Sequence, residues 1–310
     1  MPPQVYRFSG LDGNQKLRAK VFGIGSAGCS IIENAPMSTV AFSTSPEDLA
    51  RSHAERKFLV GPDRLAELSG TEADVLRRLP DIVGHELLDL FNNTDVAFLM
   101  CGLGGLTGSL GARVIASIAR MRGALGIVLA TTPFSAESYR RKELVTRVMA
   151  ELLDASALVV EFDNDQLSSL GPNLPLSRAF TILNGIMIRP AEDLCAVMSR
   201  TDLVMFREVV GDVTHARFGL GLGRGDGRVS RAVEEAMSSP WFEQDVSRTP
   251  VAIAIYSASD PWDKEANIMI DMLQSRMPSA RILWGSYRDP GLSDRIRLSV
   301  LLCNEKRKVT

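Results

Sequence analysis

Short apolar runs recur through the first half of the chain, each closing on glycine, serine or threonine and each followed by residues with helical spacing. KLRAKVFGIG (16–25) reads as a strand entering a glycine turn, and AGCSIIENA continues it as a short helix. TVAFSTS (39–45) is a second strand. SPEDLARSHAE then opens a helix with Ser45 as N-cap and Pro46 at the first helical position. Residues 61–93 carry an amphipathic helical pattern, clearest in LRRLPDIVGHELLDLF. DVAFLMCG (95–102), GALGIVLATTPF (123–134) and SALVVEFDND (156–165) are three further strands, with the charged helix AESYRRKELVTRVMAELLDA before the last. Near-continuous apolar strands alternating with helices predict a parallel α/β sheet covered on both faces, of Rossmann-like type.

The pattern changes near residue 174. LPLSRAFTILNGIMIRPAEDLCAVMSR (174–200) reads as one long central helix, with Pro190 placed to kink it. Beyond it, HARFGLGLG, TPVAIAIYSA, ARILWGSYRD and RIRLSVLLCN alternate with two helical stretches, VSRAVEEAMSSP and WDKEANIMIDMLQSRM. A second, smaller α/β domain with a mixed sheet is expected there. The boundaries predicted are 1–173 for the first domain, 174–200 for the helix and 201–310 for the second domain.

Composition narrows the function classes. The chain has 310 residues and a formal net charge of −2, so no global field draws it to nucleic acid or to an anionic membrane. No signal-peptide core and no apolar run near the roughly 20 residues of a bilayer span is present. Cys29, Cys101, Cys195 and Cys303 are far apart and match no metal spacing. The three histidines, His53, His85 and His215, are scattered, so no metal site is expected, and the chain is expected to be cytoplasmic.

The candidate chemistry lies in two glycine loops. GIGSAGCS (23–30) follows the first strand, and GLGGLTGSLG (102–111) joins a buried strand to a helix. Such a loop presents bare amides at the positive end of a helix, where phosphate binds. It also suits a tight strand–helix turn in which glycine only saves space. Gly23, Gly25 and Gly28 nearly fit the dinucleotide fingerprint, but no acid ends the second strand, which weakens a nicotinamide reading. A Walker A loop is absent.

The two loops together, with TTPFSAESYRR, FDNDQL and RAFTILNG in that order, resemble the tubulin/FtsZ superfamily of filament-forming GTPases, and its prokaryotic FtsZ branch most closely. The family's loop G-G-G-T-G-[ST]-G appears as Gly104, Gly105, Leu106, Thr107, Gly108, Ser109 and Leu110. The resemblance spans essentially the whole chain and implies a GTP or GDP site. Gly23, Gly25, Gly28 and Ser30 would line the first phosphate loop. Gly102, Gly104, Gly105, Thr107, Gly108 and Ser109 would hold the α- and β-phosphates. Glu137 and Arg141 would meet ribose and phosphate, and Asn164 the nucleoside. Phe180 would stack on guanine and Asn184 would hydrogen-bond its edge. Their i, i+4 spacing on one helix face supports that pair independently, and an amide in the apolar run FTILNGIMI needs a polar partner.

The resemblance further implies head-to-tail self-association, with Mg²⁺ as a candidate companion of the nucleotide and no protein residue assigned to a metal. Three departures matter. The γ-phosphate loop is replaced by DRLAELSGTEAD, with Gly70 its only glycine, and the family's N-T-D run is Ser43, Thr44, Ser45. The acidic pattern N-x-D-x-x-D that completes the neighbour's catalytic site reads Arg200, Asp202, Met205. Asp202 is the remaining candidate catalytic acid, with Glu208 and Asp212 as geometric substitutes and a helix-end acid as its alternative role. Arg200 is placed to face a neighbour's phosphates. The family's C-terminal linker is reduced to EKRKVT, with Lys306, Arg307 and Lys308 read as a solvated tail. The expectation is a filament former with slow or impaired GTP hydrolysis. The alternatives are a regulatory pseudo-GTPase acting on another FtsZ-type filament and, outside the family, a dinucleotide-dependent oxidoreductase.

Overall fold

The structure is a computed structural model that describes residues 4–10, 16–67, 78, 84–171, 173–242 and 245–304. The glycine-poor stretch around Gly70 and the basic tail 305–310 lie outside the described residues. The chain forms two compact units, Arg18–Ile188 and Met1–Leu17 with Arg189–Thr310.

In the first unit the strands are β2 (Ala19–Ile24), β3 (Thr39–Ser43), β4 (Arg56–Leu59), β5 (Val96–Gly102), β6 (Leu125–Thr132) and β7 (Leu158–Asp163). They lie in the order β7-β6-β5-β2-β3-β4, and every neighbouring pair is parallel. The helices are α1 (Gly25–Ile31), α2 (Pro46–Arg51), α3 (Pro62–Glu67), α4 (Leu106–Met121), α5 (Tyr139–Ala155) and α6 (Leu176–Met187). Strands β3, β5 and β6 are buried nearly throughout, as the uninterrupted apolar runs require. The core gathers Phe22, Phe42, Leu99, Val114, Ile118 and Leu152. Arg113 is buried among them because its guanidinium pairs with Glu151 on α5 at 2.6 Å.

Strand order fixes where a ligand can sit. From β2 the chain winds through β3 to β4 on one side, and from β5 through β6 to β7 on the other. The winding therefore reverses between β2 and β5. At such a switch point the loops leave in opposite directions and open a crevice beyond the strands' carboxyl ends. Both glycine loops leave from β2 and β5.

The second unit has β1 (Val5–Arg7), β8 (His215–Arg224), β9 (Val251–Ala258), β10 (Arg281–Arg288) and β11 (Arg295–Asn304), in the order β1-β10-β9-β11-β8. β1 and β9 run parallel to β10, and β11 is antiparallel to both β9 and β8. The mixed sheet is the one expected. Its helices are α7 (Arg189–Val197), α8 (Asp202–Val210), α9 (Arg228–Met237) and α10 (Asp263–Arg276). Their core includes Val233, Tyr256, Leu273, Ile282 and Val300.

The division differs from the sequence-based one in two respects. The first residues belong with the second unit, because Val5 pairs with Ile282 and Arg7 with Trp284. The predicted helix 174–200 is broken at Ile188, so α6 and α7 fall in different units. Pro190 has no amide to continue the ladder, which accounts for the break. α7 instead anchors to its own sheet through buried Asp193, which accepts hydrogen bonds from the Tyr287 hydroxyl at 2.7 Å and from the Ser299 hydroxyl. Arg297 lies 3.6 Å from the same carboxylate.

Candidate functional site

The first loop begins at Gly25, which has φ +69° and starts α1 directly from the end of β2. A Cβ there would lie 3.2 Å from the Gly108 nitrogen and 3.4 Å from the Thr107 Cβ. The two glycine loops therefore touch. Gly104, with φ +95°, turns the second loop against Pro133, whose Cγ would be 3.3 Å from an added Cβ. Gly102 similarly faces Ala27 at 3.1 Å.

Three of the glycines assigned to phosphate have another physical reason to be glycine. A Cβ on Gly28 would be 2.2 Å from the Met100 carbonyl oxygen, and one on Gly108 would be 2.1 Å from that of Gly102. One on Gly23 would be 2.6 Å from the Gly28 carbonyl oxygen. These residues let α1 and α4 lie directly on strand backbone, and all three are buried. Gly105 differs. It is exposed, and an added Cβ there would meet nothing within 4 Å. It is the N-cap of α4, with no side chain capping that end. Amides at such an end lack intrahelical partners, so the backbone at Gly105 is left exposed.

Side chains brace this crevice. Ser109 is fully buried, and its hydroxyl accepts the Gly104 amide at 3.1 Å, so it shapes the loop from within. Thr107 and Thr44 share a hydroxyl–hydroxyl hydrogen bond of 2.6 Å, tying α4 to the end of β3. Asp48 on α2 accepts from Ser26 of the first loop at 2.6 Å and from Ser43 at 2.9 Å. Sequence reading placed no acid at the strand end, where Ser43, Thr44 and Ser45 stand, and noted only Glu47 at the helix start. The helical turn begun by Pro46 returns the Asp48 carboxylate to that strand end. The Ser45 N-cap, which accepts the Asp48 amide at 3.2 Å, was the available signal.

On the other side, Glu137 accepts the Phe134 amide at 3.0 Å and pairs with Arg141. Asp165 accepts the Ser135 amide at 2.9 Å, a second brace for the loop after β6 that sequence reading did not single out. Phe180 lies edge-on to Phe134, with ring centroids 6.3 Å apart. Asn184 donates to the Ser30 hydroxyl at 3.2 Å, joining α6 to α1. Asn164, just past β7, is buried, and its Oδ1 has no hydrogen-bond partner. A buried amide oxygen left unpaired is costly, and a ligand donor would satisfy it. Among the described residues, no cluster of three or more His, Cys, Asp or Glu could hold a metal ion.

Asp202 lies in the second unit and is not displayed. It is 4% exposed. Its carboxylate accepts from the Ser9 amide at 3.0 Å and hydroxyl at 2.8 Å, and from the Ser199 amide at 2.8 Å and hydroxyl at 2.9 Å. It therefore closes the turn that begins α8, which is the helix-end role weighed as the alternative for it. Glu208 and Asp212 are exposed.

A family model described as the Tubulin/FtsZ family GTPase domain matches residues 18–171, and one for the FtsZ family C-terminal domain matches 214–304. A cell division protein FtsZ 1 from Pyrococcus furiosus is 30% identical over 300 residues, covering 93% of this chain and 81% of its own length. The chain belongs to the tubulin/FtsZ family. The FtsZ of Methanothermobacter thermautotrophicus is 31% identical, covering 92% of this chain and 79% of its own length. A solved FtsZ from M. jannaschii superposes with TM-score 0.81 at 26% identity, covering 94% of this chain and 92% of that one. CetZ2 from Haloferax volcanii, at 18% identity and TM-score 0.71, shares the fold. The FtsZ-type GTPase domain is thus the unit that carries both glycine loops, and guanine nucleotide is the ligand class that it implies. Among the described residues of this FtsZ-family chain, no helix is long and apolar enough to cross a membrane.

Proposed function

We propose that this FtsZ-family protein binds GTP and GDP in the crevice between β2 and β5, assembles head to tail into filaments, and turns GTP over slowly. The observation that carries the nucleotide reading is the meeting of Gly25 with Thr107 and Gly108 at the switch point, with Gly105 left open at the uncapped end of α4. The α4 amides would hold phosphate through the helix dipole. Phe180 and Asn184 would take the base, and the unpaired Asn164 oxygen would accept from the nucleoside. Glu137 and Arg141, already paired with each other, would meet ribose and phosphate.

Slow turnover rests on residues 200–205, the end of the turn and the start of α8. In head-to-tail assembly one chain completes the site of the next, and such contacts propagate without closing. Activation of water there needs a displayed acid. Asp202 is spent on the Ser9–Ser199 turn, and Met205 stands where a second acid is expected. Arg200 adds positive charge, which stabilises a neighbour's phosphates without accepting a proton. The same substitutions favour a second reading, a partner that enters another FtsZ-type filament and slows it.

Sedimentation tests the proposal. The purified protein is expected to pellet with GTP and to remain in solution without nucleotide, and Arg200→Ala is expected to reduce the GTP-dependent pellet. Nucleotide-independent pelleting, or an unchanged pellet for Arg200→Ala, contradicts it.

A further inference from the structure

Two leucines stand where the family's loop has glycine, and the structure treats them differently. Leu110 is 7% exposed and joins the core beneath α4. Leu106 is 45% exposed at the first position of α4, between open Gly105 and the braced Thr107. Leu110 is explained by packing. Leu106 gains nothing from the core, and it holds an isobutyl group on the loop that faces the ligand.

Its direction follows from helix geometry. Each Cα–Cβ bond tilts toward the helix N-terminus, so the side chain of a first-turn residue extends past the end of the helix. Beyond the end of α4 lies the edge where Thr44 meets Thr107 at 2.6 Å and where Asp48 receives Ser26 and Ser43. Leu106 thus leaves the same first turn of α4 as Thr107, which Thr44 connects to the strand end that Asp48 braces. Two phosphates can use the loop amides. A third would extend outward, where Leu106 removes water from it without supplying a donor and Asp48 adds like charge.

We propose that Leu106 is a specificity-determining residue that makes this site favour a nucleoside diphosphate over the corresponding triphosphate. The inference rests on the guanine-nucleotide reading above and deepens it. Loss of the terminal phosphate then leaves the better-bound ligand in place, so nucleotide state acts as a slow switch rather than a timer of assembly. Because Leu106 is exposed, replacing it leaves the core of the unit intact.

The test is a pair of fluorescence titrations of the full chain with labelled GDP and a labelled hydrolysis-resistant GTP analogue, each with EDTA and with Mg²⁺. With EDTA the wild type is expected to bind GDP about tenfold more tightly or better, a ratio equal to about 1.4 kcal/mol. Leu106→Ala is expected to reduce the ratio to within about threefold, chiefly by tightening the triphosphate. Leu106→Gly, which restores the family's residue, is expected to do the same. Equal binding of the two nucleotides by the wild type, or an unchanged ratio in both variants, overturns this inference and leaves the guanine-nucleotide reading standing. Binding of neither nucleotide removes that reading and this inference with it.

Discussion

Replacing glycines one at a time separates the two jobs of the second loop. At Gly108 an added Cβ would lie 2.1 Å from the Gly102 carbonyl oxygen and 3.1 Å from its carbon. Even close carbon–oxygen contacts are about 3.3 Å, so backbone must move by about 1 Å. Backbone lies on both sides, and neither can turn aside like a flexible side chain. Overpacking of this kind costs roughly 1–3 kcal/mol. At about 2–4 °C per kcal/mol for a domain of this size, Gly108→Ala should melt about 2–12 °C below wild type. Gly105 provides the contrast. Its φ is −89°, ordinary for any residue, and its surroundings are open. Gly105→Ala should lose only about 0.5–1 kcal/mol, since alanine is the poorer N-cap. Its nucleotide affinity should nonetheless fall about tenfold or more, equal to 1.4 kcal/mol or more, because the methyl group occupies the space where phosphate meets backbone. Differential scanning fluorimetry and nucleotide titration on both variants are the assays. A Gly108→Ala protein that melts like wild type refutes the packing reasoning, and wild-type affinity in Gly105→Ala refutes the cradle.

Three further outcomes follow from particular contacts. Asp202→Ala should destabilise the second unit by about 3 kcal/mol, as the Ser9 and Ser199 donors lose a charged acceptor; it should leave GTP turnover per filament unchanged, whereas loss of turnover with an unaltered melt would restore Asp202 as catalytic. Phe180→Ala should weaken guanine nucleotide by about 1–3 kcal/mol if the ring stacks on the base, with a thermal shift no larger than its half-buried contact with Phe134 allows; titration calorimetry and the melt decide together. Burial pushes the Cys29 thiol up to about 11 and Cys101, Cys195 and Cys303 up to about 12. Cys29, Cys101 and Cys303 are buried and should resist a thiol reagent at pH 8 until the protein unfolds, with half-buried Cys195 the first to react. Because the unfolded thiols ionise first, stability should decline as pH rises above about 8.5; rapid labelling of the three buried thiols in the native protein would contradict the burial.

The elements legible in the sequence were those whose pattern is local. β2, β3, β5, β6 and β7 lie within the apolar runs predicted for them, and the Ser45–Pro46 signal correctly starts α2. β1 and β4 were not read. Val5–Arg7 is three residues long and exists by pairing with β10, far along the chain. Arg56–Leu59 is a charged edge strand without the apolar period. The residues after 200 were open to two readings, an acidic loop or a helix start, and Leu203, Phe206 and Val210 share a helical face in α8. Within the site, Phe180 and Asn184 do lie on one helix, α6, and Asn184 has a polar partner in Ser30. The glycines were only half legible: a motif cannot distinguish a glycine that admits a ligand from one that admits a carbonyl of its own strand. Asp48 was missed because its place at the crevice comes from the turn of α2, not from its distance along the chain.

The central claim, a filament-forming guanine-nucleotide protein with impaired hydrolysis, is tested most directly by phosphate release from GTP across a range of protein concentrations, with the pellet measured in the same samples. The account predicts GTP-dependent pellets whose growth with concentration brings little rise in phosphate release per chain. Release per chain that climbs in step with the pellet would contradict it, and would mean that the interface presents a working acid, with Asp202→Ala deciding whether it is Asp202.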